Sequence, residues 1–161
     1  MTAGGWRLVA ASCLLAAGCQ SFGGIRPRHS PLPESVRRMS PQPAAEVISL
    51  LEAAVRASGL EVARSAPREG YLETRWFDLD RRASVAPPFS GFDRVVKLRF
   101  YADPEQGRTR LLAECTVRIV WDPSLPEREL ERMVPEGHAG RALLDSIVAA
   151  VPATGPEPLR P

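Results

Sequence analysis

The sequence predicts an α+β fold in two layers, a four-stranded antiparallel sheet with the N- and C-terminal helices packed on one face. Three observations support this prediction. Apolar residues recur at helical spacing in residues 44–58 and 139–151. Four strand-like segments lie between them, and two of these alternate between apolar and polar side chains. Because each strand then has one apolar face, we expect both helices to cover that face.

The first predicted helix covers residues 44–58. Pro43 suits its first turn, where an amide donor is not needed, and Gly59 suits the position just after its end. Its apolar face would contain Val47, Leu50, Leu51, Ala54 and Ala57, widened by Ile48 and Val55.

Four strands are predicted next. Residues 60–65 and 70–77 flank a turn at 66–69 and would form a hairpin. Residues 92–101 and 110–121 alternate, and the sequence Asp-Pro-Glu-Gln-Gly at 103–107 supplies a turn between them. Their apolar faces would contain Val96, Leu98 and Phe100 in one strand and Leu111, Ala113, Cys115, Val117, Ile119 and Trp121 in the other.

The C-terminal part is predicted to be helical. Ser124 and Glu127 have the spacing of a capping box, so a short helix would run from there to about Met133. Pro135 and Gly137 would end it, and a last helix would cover residues 139–151. The expected order is therefore α-β-β-β-β-short α-α.

The N-terminus has the features of an export signal. Arg7 is the only charged residue of residues 1–18, and an apolar run of about ten residues follows, too short to cross a bilayer as a helix. We expect residues 19–43 to be a Pro/Arg-rich linker, residues 44–151 to be a single domain, and residues 152–161 to be a disordered tail.

The apolar run ends in Leu14-Leu15-Ala16-Ala17-Gly18-Cys19. This resembles the lipobox of bacterial lipoproteins, although Ala16 stands where a stricter lipobox has Leu. The resemblance implies that the signal is removed and that Cys19 carries the covalent lipid, with palmitate among its acyl chains. Gln20, where Asp would favour the inner membrane, suggests the outer membrane, facing the periplasm. The alternative is an ordinary secretory signal.

The linker is basic. Arg26, Arg28, Arg37 and Arg38 against Glu34 give it a net charge of +3. It could contact anionic lipid headgroups, at about 1 kcal/mol per basic residue. The alternative is a plain spacer with solvated charges.

The order of elements, with Gly59 after the first helix, Gly70 at the start of the second strand and Trp76 near its end, resembles the helix-grip modules of the BamC (NlpB) family of outer-membrane assembly lipoproteins. The resemblance covers residues 44–151, and this chain would hold one module where that family has two. It implies a role in envelope assembly, but fold likeness alone does not establish function.

Residues that could carry catalysis are few. His29 lies in the predicted linker, and His138 could act as a base near Glu136 or contact the start of the last helix. Cys115 is predicted to lie in the core, where burial makes a thiol inert, and it has no partner for a disulfide once Cys19 is acylated. Asp78 and Asp80 are not followed by the further ligands of a calcium loop. We therefore expect no enzyme, no metal and no cofactor beyond the covalent lipid.

A Pro-rich loop at residues 80–93 is the best candidate for a binding site. Phe89 and Phe92 lie in it, and Trp76 and Phe77 end the preceding strand. These four residues could form an aromatic edge that docks a partner. Alternatively, the loop folds back and covers one end of the core.

These observations predict a non-catalytic, membrane-anchored protein of the bacterial envelope that binds another envelope protein, as an assembly or accessory factor. Its formal net charge of +2 gives no indication of nucleic-acid binding. A carrier of an apolar ligand is the alternative, and it needs a cavity of about 300 Å³ between sheet and helices. An envelope hydrolase is a third, weaker alternative.

Overall fold

The computed structural model describes residues 24–153. Cys19, the predicted signal at 1–18 and most of the predicted tail lie outside the described residues. Within the described range, the chain forms one antiparallel sheet of eight strands and two α-helices. The helices are α1 (Ala44–Ala57) and α2 (Ala139–Val148). The strands are β1 (Val36–Ser40), β2 (Val62–Ala66), β3 (Tyr71–Thr74), β4 (Trp76–Asp78), β5 (Ala83–Val85), β6 (Val95–Glu105), β7 (Arg108–Arg118) and β8 (Glu131–Met133).

The centre of the sheet is the long hairpin of β6 and β7, each of which has 11 residues. Along the outer edge of β7, β1 pairs with residues 109–113 and β8 pairs with residues 116–118. Along the outer edge of β6, β3 and β4 follow one another in the same way. The outermost strands are β2, beside β3, and β5, beside β4. Every edge of the central hairpin is thus covered by two short strands in succession.

The predicted four-stranded sheet and its order of elements are wrong. The sheet has eight strands, and the fold is mostly β. The strand predicted at 70–77 is two strands, interrupted at Arg75 where the Thr74 hydroxyl accepts a hydrogen bond from the Leu98 amide. The short helix predicted up to Met133 is a 3₁₀ turn (Glu127–Leu130) followed by β8. Ser124 does not cap it, because its amide and hydroxyl bind Asp122.

β1 and β5 are absent from the predicted fold, because the sequence pattern of neither segment indicates a strand. β1 lies in the Pro/Arg-rich segment that the sequence presents as a linker, and it is held by its pairing with β7. β5 has three residues, which is too short for a periodic pattern. The ordered fold consequently begins before Ala44.

Both helices lie on one face of the sheet and enclose the apolar core. The fully buried side chains from α1 are Val47, Ile48, Leu51 and Val55, and those from α2 and the residues after it include Leu144, Ile147 and Val151. They pack on Val96, Leu98 and Phe100 of β6 and on Leu111, Ala113 and Cys115 of β7. Each buried Val, Leu, Ile or Phe side chain among these contributes about 1.5–3 kcal/mol through burial.

Gly140 allows α2 to approach the sheet closely. A Cβ at this position would lie 2.9 Å from the Cys115 sulfur and 2.9 Å from Cγ1 of Val96. Glycine is therefore required by packing, although it is a poor helix former.

The opposite face of the sheet is crossed by residues 24–35, which we call the N-terminal strap. Arg26 binds Asp103 of β6, and the Leu32 amide binds Glu114 of β7. The described part of the expected linker is thus packed on the sheet.

Candidate functional site

The face of the sheet that the helices leave uncovered carries a cluster of buried charges. Glu73, Lys97, Arg99, Glu114 and Arg118 come from β3, β6 and β7, and each is less than 10% exposed. Glu127, Arg128 and Glu131 approach from the segment after β7. We call these eight residues the charge cluster. The alternation in β6 and β7 indicates correctly which side chains share this face, but burial there depends on the strap and on the segment after β7.

The charges of this cluster are balanced, four cations against four anions. Arg99 binds Glu131 through both terminal nitrogens and lies 3.4 Å from Glu73. Arg128 binds both oxygens of Glu114 at 2.6 and 2.7 Å. Lys97 bridges Glu73 and Glu127. Because each buried charge has an opposite partner, desolvation is offset within the cluster.

The pKa shifts fit this pairing. Burial would lower the pKa of Arg99, but the Glu131 carboxylate raises it above its ordinary value. Burial would raise the pKa of Glu73, but Arg99 and Lys97 hold it below its ordinary value. The pKa of Glu127 is lowered in the same way by Lys97. The pairing therefore favours the charged forms of Arg99, Glu73 and Glu127.

One end of the cluster opens onto aromatic side chains. The guanidinium of Arg118 lies 4.8 Å from the ring centre of Trp121, 5.7 Å from that of Trp76 and 5.9 Å from that of Phe89. Nε of Arg118 is buried without a hydrogen-bond partner among residues 24–153. The nearest carboxylate oxygen belongs to Glu127, at 3.7 Å. Arg118 is thus the member of the cluster with the weakest polar pairing.

Large apolar side chains continue from Arg118 onto the surface. Ile119, Val120 and Leu125 are each 45% exposed, and Trp121 is 41% exposed. We group these four residues, which follow Arg118 in the sequence, with Arg118 and the rings near it, and call the set the aromatic surface: Trp76, Phe89, Phe92, Arg118, Ile119, Val120, Trp121 and Leu125. Exposed large apolar side chains concentrated in one short segment are a feature of protein-binding sites.

The structure separates the four residues predicted for the aromatic edge. Trp76, Phe89 and Phe92 lie together, with ring centres 5.3 Å apart for the first pair and 6.0 Å apart for the second. The Trp76 indole also donates a hydrogen bond to Glu127. Phe77 faces the helices and belongs to the core. The Pro-rich loop therefore folds back onto Trp76 while leaving Phe89 and Phe92 half-buried.

The sequence interpretation misses the exposed half of this surface. Ile119 and Trp121 were expected on the apolar face of β7, but the strand ends at Arg118 and the chain then leaves the sheet. The available signal was Asp122-Pro123, because the residue before a proline avoids the helical region and a turn is common there.

The remaining candidates have structural partners. Nδ1 of His138 accepts a hydrogen bond from the Gly140 amide and so caps α2, while Nε2 donates to the Asp93 carbonyl. Cys115 is fully buried, and burial raises the pKa of its thiol to about 12. His29 contacts the Tyr101 hydroxyl, and its pKa is lowered by burial.

The Asp78 carboxylate stabilises the turn between β4 and β5. It accepts hydrogen bonds from the amides of Arg81 and Asp80, which hold its pKa below the ordinary value. Within residues 24–153, no group of three or more His, Cys, Asp or Glu residues could hold a metal ion.

Cavities of about 240–410 Å³ lie at the surface of the described residues. They are open grooves whose lining residues come from loops and strand ends rather than from the apolar core between the sheet and the helices. One of them, of about 240 Å³, is bordered by Trp76, Pro87, Lys97 and Glu127, beside the aromatic surface.

No family model matches the chain, and no curated protein matches it. Neither helix of the described range is long and apolar enough to span a membrane.

Proposed function

We propose that the chain is a lipid-anchored protein of the bacterial envelope that binds another protein through the aromatic surface and catalyses no reaction. The proposed lipid anchor is supported by the lipobox-like run that ends in Cys19. Two or more acyl chains on one cysteine give stable membrane association, whereas a single chain gives only marginal binding.

The aromatic surface supports the binding role. Four large apolar side chains within residues 119–125 are 41–45% exposed, and one of them, Trp121, lies beside the Arg118 guanidinium. Trp, Tyr and Arg are the residues that most often dominate binding energy in protein interfaces. A partner with an apolar segment would match this surface, because it could cover the exposed side chains of Ile119, Val120, Trp121 and Leu125.

The anchor is tested by fatty-acid labelling in a bacterial host. Cys19→Ser should lose both the label and membrane association, while Cys13→Ser, which changes the other cysteine of the predicted signal, should keep both. Labelling that survives Cys19→Ser would contradict the proposal.

The binding role is tested with a photo-crosslinking amino acid in intact cells. A crosslinker at Trp121 should give a discrete product that Val120→Ser, at an exposed neighbouring position, weakens, and one at Ala149, exposed after α2, should not. Identical products from both positions, or none from either, would count against the surface.

A further inference from the structure

The way the strap is fastened determines how close an anchored domain can be to the membrane. At its first residues, the Ile25 and Arg26 amides donate to the Glu69 carboxylate at 3.2 and 2.8 Å. The Arg26 guanidinium binds Asp103 at 2.7 and 3.2 Å, and it also lies 5.6 Å from the Tyr101 ring centre. The strap is therefore attached to the sheet from its first described residues.

The attachment continues along the strap. His29 contacts the Tyr101 hydroxyl at 3.2 Å, and the Ser30 carbonyl accepts a hydrogen bond from Arg128. The Leu32 amide donates to Glu114. β1 follows and pairs with β7. No stretch of free spacer is left between Gly24 and the domain.

The length of chain before the strap then limits the distance to the anchor. Gly24 lies five positions after Cys19, which an extended chain spans with at most about 18 Å. If the strap were a free spacer up to Val36, seventeen positions would be available and the reach would be about 60 Å. Docking of the strap thus shortens the reach roughly threefold.

The position of the strap also fixes the end of the domain that is nearest the anchor. Glu69 and Asp103 lie toward the turn between β6 and β7, whose tip is Gln106 and Gly107. The aromatic surface begins at the other end, beside the Val96–Val117 pair. Along β6, Val96 is eight positions from Pro104, about 27 Å at the rise of an antiparallel strand.

We infer that the strap holds the domain against the bilayer with the β6–β7 turn toward the lipid and the aromatic surface directed away from it. This inference rests on the proposed anchor at Cys19. The contact does not require anionic lipid, because Arg26 and Arg37, two of the basic residues that could attract headgroups, are paired with Asp103 and Glu105. The same orientation is expected on a neutral phosphatidylcholine surface.

The test uses the full chain, acylated in a bacterial host and reconstituted into phosphatidylcholine vesicles that carry a headgroup-linked acceptor dye. A donor dye is placed by Gln106→Cys at the turn or by Ser90→Cys at the opposite end, both exposed positions. We expect clearly greater energy transfer from position 106 than from position 90.

The double variant Glu69→Gln with Asp103→Asn removes the carboxylates that hold Ile25 and Arg26, the first residues of the strap, and should reduce the difference between the two transfers. Glu61→Gln with Asp145→Asn makes the same change in net charge at exposed acids far from the strap, and should leave the difference intact. Equal transfer in the acylated wild type, or a difference that the first double variant leaves undiminished, would overturn the orientation alone. A mature protein without acyl chains on Cys19 would overturn the proposed anchor, and the orientation with it.

Discussion

The guanidinium of Arg26 binds the carboxylate of Asp103 through two hydrogen bonds, at 2.7 and 3.2 Å, and so joins the strap to β6. This contact links residues 77 positions apart in the sequence. Because of this contact, a basic, Pro-rich segment that resembles a spacer is packed as part of the fold. The contact therefore affects both the stability of the domain and its position relative to a membrane.

Asp103 should make stability depend on pH. Its pKa is lowered from the ordinary 3.8, chiefly by the hydrogen bond from Arg26, so its contribution is present above that value and is lost as the pH falls through the lower folded pKa. The pair is partly exposed, so we expect Asp103→Asn to cost about 1 kcal/mol at pH 6, or roughly 2–4 °C in melting temperature. The difference should disappear well below pH 3.8. Asp145→Asn, at an exposed pair on α2, is the control, and a deficit of the Asp103 variant that is the same at both pH values would contradict the assignment.

Removing one charge from the cluster should be strongly destabilising. Glu131 is buried against Arg99 and Arg128, and Glu131→Gln would leave two buried cations with fewer partners. Loss of one partner from a buried ion pair costs about 3–5 kcal/mol, which denaturant unfolding would measure. Glu129→Gln removes the same charge from an exposed position nearby and should change stability by less than about 0.5 kcal/mol. Equal effects of the two variants would show that the cluster does not act as a unit.

Gly140→Ala should destabilise the protein although alanine is the better helix former. The added Cβ would meet the Cys115 sulfur and Val96 at 2.9 Å, and overpacking of this kind costs about 1–3 kcal/mol. At Gly137 an added Cβ has no neighbour within 4 Å, so Gly137→Ala is the matched control and should be close to neutral. Cys115→Ala should restore part of the loss in the Gly140→Ala background. A Gly140→Ala protein as stable as the wild type would contradict the close approach of α2.

The Cys115 thiol should be unreactive in the folded protein. Because burial raises its pKa to about 12, the thiol remains protonated and shielded at pH 8. Iodoacetamide should modify it only after denaturation, as mass spectrometry would show. In the Ser90→Cys variant, the new exposed thiol should react at once in the native state. Similar reaction rates of Cys115 and the introduced thiol at position 90 in the native state would mean that α2 does not protect Cys115 from solvent.

Sequence periodicity predicts the parts of this fold that have one apolar face. The helix predicted at 44–58 is α1, and the apolar residues of β6 that pack beneath it are the predicted ones. β1 could not be predicted in this way, because it is held by pairing with residues 109–113 of β7, a tertiary contact that local propensity does not report. β5 and β8 have three residues each, which is too short for a periodic pattern.

The candidate site was only partly predictable for the same reason. The aromatic residues Trp76, Phe89 and Phe92 could be selected from their types and their place in a Pro-rich loop. The burial of the β6 charges could not be predicted, since alternation indicates the side of a strand but not what covers it. Lys97 and Arg99 are buried because the segment after β7 brings Glu127 and Glu131 to them.

The identity of the mature N-terminus tests the central proposal most directly. Mass spectrometry of the protein isolated from bacterial membranes should find Cys19 as the first residue, with residues 1–18 removed and with the added mass of a diacylglyceryl group, with or without a third acyl chain. A mature protein that begins elsewhere, or whose Cys19 carries no lipid, would contradict the account.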